Sequence, residues 1–244
     1  MSVTIAKAVL KTVLATGAFA VLHSALASRA AKRAATDVFG PANADGVYRV
    51  VYIAQSFAAA GLLVAYLKRL PSVQLYRVRG SAAVLMHAAE VAGLLHATAG
   101  ARQVGIMRIT GVENLAAWLK GLPVPPMPEA QGPGFSEKAL DRFSGPFALS
   151  RHPLNLSPIP VLWLWPRMNS TLLAFNAAAT VYLVIGSKHE EQRLLETEGA
   201  DYEEYQASGI NFYFPSLNRN PWDSVRELSA SNTDGASTLR QIGN

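Results

Sequence analysis

Two short clusters of ionisable residues are the parts of this chain best suited to chemistry. Arg151-His152-Pro153 stands at the mouth of one apolar segment, and Glu190-Glu191 lies just beyond the next. A guanidinium presents a planar fork that grips a carboxylate through two parallel hydrogen bonds. Carboxylates accept from hydroxyl and ammonium groups, and an imidazole adds a further polar contact. On spacing alone this is a polar cluster at one membrane face. Each member also has a plain structural role open to it, Arg151 as an interfacial anchor and Glu190-Glu191 as a solvated helix start. Their joint occurrence is what points to a site.

The elements that must position these residues follow from apolar length and from where charge resumes. Residues 168–187 are uncharged and long enough to cross a bilayer. With residues 152–166 before them, joined through Pro166-Arg167, they predict a hairpin of two spans. Arg151 and His152 then return to the interface that holds Lys188, His189, Glu190 and Glu191. Residues 188–215 read as a polar helix, a turn and a second short helix outside the membrane. Three earlier spans are expected at 3–27, 47–67 and 80–101. Lys7 and Lys11 near the outer end of the first can snorkel, and the second carries no charge from Val50 to Leu67. The fold class is therefore all-α, an integral membrane bundle of about five transmembrane helices with a cytoplasmic C-terminal helical segment. Residues 1–217 form one domain and 218–244 a polar tail. No strand-like alternation or internal repeat competes with this reading.

Composition supports a membrane location. Hydrophobic residues make up 50% of the chain and charged residues only 16%, where a soluble domain averages about 25% charged. Cysteine is absent, which excludes disulfides, thiolate metal sites and a cysteine nucleophile. Lys7, Lys11, the run Thr12 to Leu22 and Ala25-Leu26-Ala27 also admit a cleavable signal peptide. The apolar run outlasts the usual length of such a segment, so the first span is preferred.

Most of the 22 Lys and Arg residues fall on the side that carries Arg151 and Glu190. The positive-inside rule then places that face in the cytoplasm. The net charge of +5 suits membrane lipids with anionic headgroups. Without a basic patch interleaved with aromatics, nucleic acid is not an expected partner. Between the third and fourth spans, Pro123, Pro125, Pro126, Pro128 and Pro133 prevent a continuous helix. That connection reads equally as a lid over the site or as a plain linker. Residues 106–119 predict an amphipathic interfacial helix with Trp118 at headgroup level.

Ionisable groups at membrane depth are functional candidates by default. His87, Glu90 and His96 lie near one helix face, open to a haem or metal site, a channel lining or interhelical hydrogen bonds. No spacing here matches a tight metal motif, so no metal is expected and interhelical bonding is preferred.

The C-terminal pattern resembles the isoprenylcysteine carboxyl methyltransferase superfamily, which includes phospholipid methyltransferases, and within it the methanethiol S-methyltransferase branch. Gly145-Pro146-Phe147 matches the lead-in, and Arg151-His152-Pro153-Leu154 matches the start of the His-Pro motif. Glu190-Glu191, Leu194 or Leu195, Gly199, Tyr202, Tyr205 and Pro215 match the stretch that follows. Where the family has Tyr and Gly in its His-Pro motif, this chain has Asn155 and Ser157, and it adds Pro158 and Pro160. Leu22-His23-Ser24 is similar to the His-Ser near the end of the first span in the same branch.

The resemblance implies a bacterial inner-membrane enzyme that moves a methyl group from S-adenosylmethionine to a small or lipophilic acceptor, a thiol first. Arg151, His152, Pro153, Leu154, Asn155, Glu190, Glu191, Tyr202 and Tyr205 become the expected cofactor residues. His23 and Glu191 become the catalytic candidates. Displacement at methyl is mainly a matter of positioning and water exclusion, so a thiolate or carboxylate acceptor requires no acid/base dyad. The alternative that the resemblance leaves open is a non-catalytic relative of NnrU type, linked to redox or nitrogen-oxide metabolism.

Overall fold

A computed structural model describes residues 2–126 and 145–214. Most of the proline-rich connection, Pro215 and the polar tail lie outside the described residues. The chain begins with α1 (Val3–Ala27), whose first turn is capped by Ser2 Oγ accepting from the Ile5 N–H at 3.4 Å. Ser28 ends it and caps α2 (Arg29–Phe39), accepting from the Ala31 N–H at 3.2 Å. Gly40, at φ 80°, turns the chain into α3 (Pro41–Leu67). Pro41 fits the first helical turn because its missing N–H would have no partner there. The next long helix is α4 (Gly80–Val104).

The expected helix over 106–119 is broken in two, α5 (Ile106–Thr110) and α6 (Val112–Leu119). Gly111 forms the break, with φ 79°. It is also where the backbone comes close to α3, since a Cβ there would lie 2.6 Å from the Arg49 side-chain stem. Trp118 of α6 donates to Asn43 Oδ1 at 2.8 Å and lies against Gly46, which fastens this corner to the start of α3.

After α7 (Gly145–Leu149) comes the largest departure from the expected elements. Residues 152–166 are not one helix but two short ones, α8 (Pro153–Leu156) and α9 (Pro158–Trp163). The reason is covalent: Pro158 and Pro160 bring no N–H, and their rings clash with the carbonyls four residues back. Neighbours satisfy the exposed backbone, as a break at membrane depth requires. Asn176 donates to the Leu162 carbonyl, and Ser157 Oγ donates to the Pro153 carbonyl at 2.6 Å.

A pair of short strands was not foreseen. β1 (Gln74–Arg77) pairs antiparallel with β2 (Arg167–Asn169). Asn169 then caps α10 (Ser170–Glu198), accepting from the Leu172 N–H at 2.8 Å. The strand pair fixes the topology. Arg151 contacts Glu191 at one end of α10, and β2 meets the α3–α4 connection at the other. Between these ends α10 rises roughly 30 Å at about 1.5 Å per residue. Residues 152–166 therefore cover the same height as α10, by short helices and extended links. The protein is an all-α membrane bundle; among the described residues four continuous helices are long and apolar enough to cross a bilayer, and α8–α9 makes a fifth, broken traverse.

The packing suits lipid as the outer solvent. Val21, Phe57, Leu62, Leu85 and Leu95 stand exposed on the long helices. Inside are Thr12, Asn176 and Ser187, each fully buried. Small and polar residues at helix contacts are the usual solution where lipid removes the hydrophobic drive between helices. Among the described residues, the buried apolar cluster lies beyond α10, where Leu194 and Ile210 pack around Tyr202 and Tyr205 of α11 (Ala200–Ala207).

Candidate functional site

The expected hairpin residues meet at the end of α10 that adjoins α11. Arg151 Nε donates to Glu191 Oε1 at 2.7 Å, and Arg151 Nη1 donates to the Ile210 carbonyl at 2.7 Å. The same Glu191 oxygen accepts from the Tyr202 hydroxyl at 3.2 Å and lies 3.2 Å from His152 Nε2. His152 Nδ1 is 3.4 Å from Glu190 Oε2. His152 is 4% exposed, and burial by itself would depress its pKa. The Glu190 and Glu191 carboxylates outweigh that and raise it above the ordinary histidine value. Tyr205, fully buried, donates to the Phe147 carbonyl at 2.7 Å. Pro153 starts α8 beside this network, and Leu154 packs on Gly100 of α4. These contacts tie α7, α8, α10 and α11 into one unit.

Next to this network is a cavity of about 520 Å³, within the range of small-molecule sites. Its walls come from the α1–α2 junction, α3, α8 and α10. Of the nine expected cofactor residues, Asn155 and Glu190 line it. Of the other seven, Arg151, His152, Glu191 and Tyr202 form the network behind them, joined to the cavity through Glu190, while Pro153, Leu154 and Tyr205 make separate packing and backbone contacts. The catalytic candidates divide the same way: His23 lines the cavity, while Glu191 is held in the network. Asn155 is fixed by donating to Ser187 Oγ at 2.8 Å, and Ser187 in turn meets the Tyr213 hydroxyl at 2.9 Å.

Reading the residues in sequence missed much of the lining. Arg49, Tyr52, Tyr182 and Arg193 all face the cavity. Arg49 Nε donates to the Ile109 carbonyl at 2.7 Å, and its guanidinium lies 5.7 Å from the Tyr52 ring centroid. Arg49 Nη2 and Arg193 Nε are buried with no hydrogen-bond partner among the described residues. Unpaired buried donors are costly, and here they border a space that an anion could fill. Arg49 and Arg193 entered the sequence reading only as charges. Tyr52 sits within the second span, and its phenol, neutral at ordinary pH, carries no charge that would mark it in the sequence.

Away from the cavity, His87 Nδ1 pairs with Glu90 Oε2 at 2.8 Å on α4. Gly93, one turn on, lies against the Ser157 carbonyl oxygen and Pro160 of the broken traverse.

The chain is similar to proteins named methanethiol S-methyltransferase. It is 26% identical to one from Mycobacterium tuberculosis over 203 residues, 83% of this chain and 76% of that protein. A Bradyrhizobium diazoefficiens relative is 26% identical over 200 residues, 82% of this chain and 71% of the relative. One from Pseudomonas deceptionensis is 35% identical over 75 residues, 31% of this chain and only 28% of that protein's length. No family model and no solved structure matches the chain.

Proposed function

We propose that this chain transfers a methyl group from S-adenosylmethionine to a small thiol at the cytoplasmic face of the membrane. The observation that carries the reading is the cavity's polar lining: the Glu190 carboxylate faces the same space as the unpaired N–H donors of Arg49 and Arg193. Similarity to named methanethiol S-methyltransferases over four-fifths of the chain supports it.

The lining fits the proposed methyl donor. Arg49 and Arg193 would hold its carboxylate, and Glu190 its ammonium or ribose hydroxyls. Arg151, the sequence-based candidate for the carboxylate, has Nε and Nη1 already engaged by Glu191 and Ile210. In this reading it shapes the wall that carries Glu190. Leu183, Ile185 and Gly186 supply the apolar side. Bound there, the donor supplies a methyl group activated by a positive sulfur. The protein contributes position and exclusion of water.

Calorimetry on detergent-purified protein tests the proposal. Micromolar S-adenosylmethionine binding is expected, weakened at least about tenfold, or roughly 1.4 kcal/mol, by Glu190→Gln or Arg193→Gln. Folded protein that does not bind the compound would sink the enzyme reading and favour a non-catalytic relative.

A further inference from the structure

Where α1 faces α3, the cavity wall carries a hydrogen-bonded chain that the cofactor assignment leaves unused. Ser56 Oγ donates to the Tyr52 carbonyl at 2.7 Å, so toward His23 it acts as an acceptor. It lies 3.0 Å from His23 Nδ1, which therefore carries the ring proton. His23 Nε2 is left as the basic nitrogen, and it accepts from the Tyr52 hydroxyl at 2.7 Å. Tyr52 and His23 both line the cavity. The Arg49 guanidinium lies over the Tyr52 ring, where it favours negative charge developing on the phenol.

We infer that Tyr52 takes the proton from the acceptor's thiol and passes its own to His23, an assignment that rests on the methyl-transfer reading. The chemistry requires such a group. The thiolate is the nucleophile and an alkyl thiol is mostly protonated at neutral pH, so the proton must leave as the sulfur attacks. As the acceptor's S–H bond breaks, an O–H bond forms at Tyr52. The former Tyr52 proton bonds to His23 Nε2, making an imidazolium. The sulfur lone pair forms the new S–C bond while the methyl's bond to the sulfonium breaks, its electron pair remaining on the departing sulfur. One proton then leaves His23 for solvent, and the pair is reset. Ser56 keeps His23 in the required tautomer throughout.

The test compares methanethiol with thiophenol, which is acidic enough to arrive already ionised. In Tyr52→Phe, methyl transfer to methanethiol should fall about 100-fold, the usual range for losing a proton-transfer group, and transfer to thiophenol less than about threefold. His23→Gln should show the same selectivity. Calorimetric S-adenosylmethionine binding by both variants should match the parent protein and establishes that they are folded. Without the methyl donor, thiolate absorbance should develop when methanethiol binds the parent protein but not Tyr52→Phe. Equal losses with both thiols, or retained thiolate absorbance in Tyr52→Phe, would overturn the proton assignment alone. A parent protein that binds no S-adenosylmethionine and methylates neither thiol would overturn the methyl-transfer reading and this inference with it.

Discussion

At the scale of single residues, the adjacent carboxylates Glu190 and Glu191 do different work. Glu191 Oε1 receives the Arg151 and Tyr202 bonds and faces His152. Glu191→Gln should therefore destabilise the protein by about 2 kcal/mol, the cost of losing hydrogen bonds to a charged group. A lowered midpoint in thermal unfolding in detergent would register this, whereas Glu190→Gln should act mainly on ligand affinity. His152 supplies a pH dependence. Its folded-state pKa is raised, so its contribution is fully present below the unfolded value of about 6.5 and is lost as pH rises through the folded value. The melting difference between the parent and His152→Asn should accordingly be larger at about pH 6 than at about pH 9. The motif residues were legible in the sequence, and the structure does bring them together. Which of them faces open space was not legible, because neighbours in sequence such as Glu190 and Glu191 have different partners in space.

At the scale of elements, the first span was readable to its ends, since capping serines bracket an unbroken apolar run. The last was not. α10 continues beyond Ser187 to Glu198, because its polar end is packed against α8 and α11 instead of ending at the membrane surface. The broken traverse is held against α4 at Gly93, where a Cβ would lie 2.8 Å from the Ser157 carbonyl oxygen. Backbone gives way poorly, so Gly93→Ala should cost roughly 1–3 kcal/mol by overpacking. Unfolding midpoints would reveal it. Gly111→Ala should have a second consequence. It adds strain at φ 79° and presses on the Arg49 side chain, so ligand affinity should fall along with stability, a pairing that calorimetry and thermal melts together detect.

For the whole molecule, the β1–β2 pair and the Arg151–Glu191 contact require residues 152–166 to connect opposite faces. The absence of native cysteine makes this directly testable with single introduced ones. Lys120→Cys and Glu203→Cys should be shielded from an impermeant maleimide in intact cells, and Arg167→Cys should react. Labelling of Lys120→Cys and Arg167→Cys from the same side would contradict the fifth traverse. The cavity lies at the face of Glu203, so shielding of this residue would put the proposed site on the cytoplasmic side.

The sequence by itself determined the membrane environment, the four long apolar spans and the cluster that closes the C-terminal end. Those depend on apolar length and on where charge is excluded from lipid, both of which are local properties of the chain. Tertiary structure decided which polar groups form a wall and which form its support. Arg49, Tyr52 and His23 come from helices that precede the motif by a hundred residues or so, and no spacing rule links them to Glu190. They share a cavity because α1 packs against both α3 and α10, and helix packing in lipid is set by small and polar contacts distributed over the whole bundle.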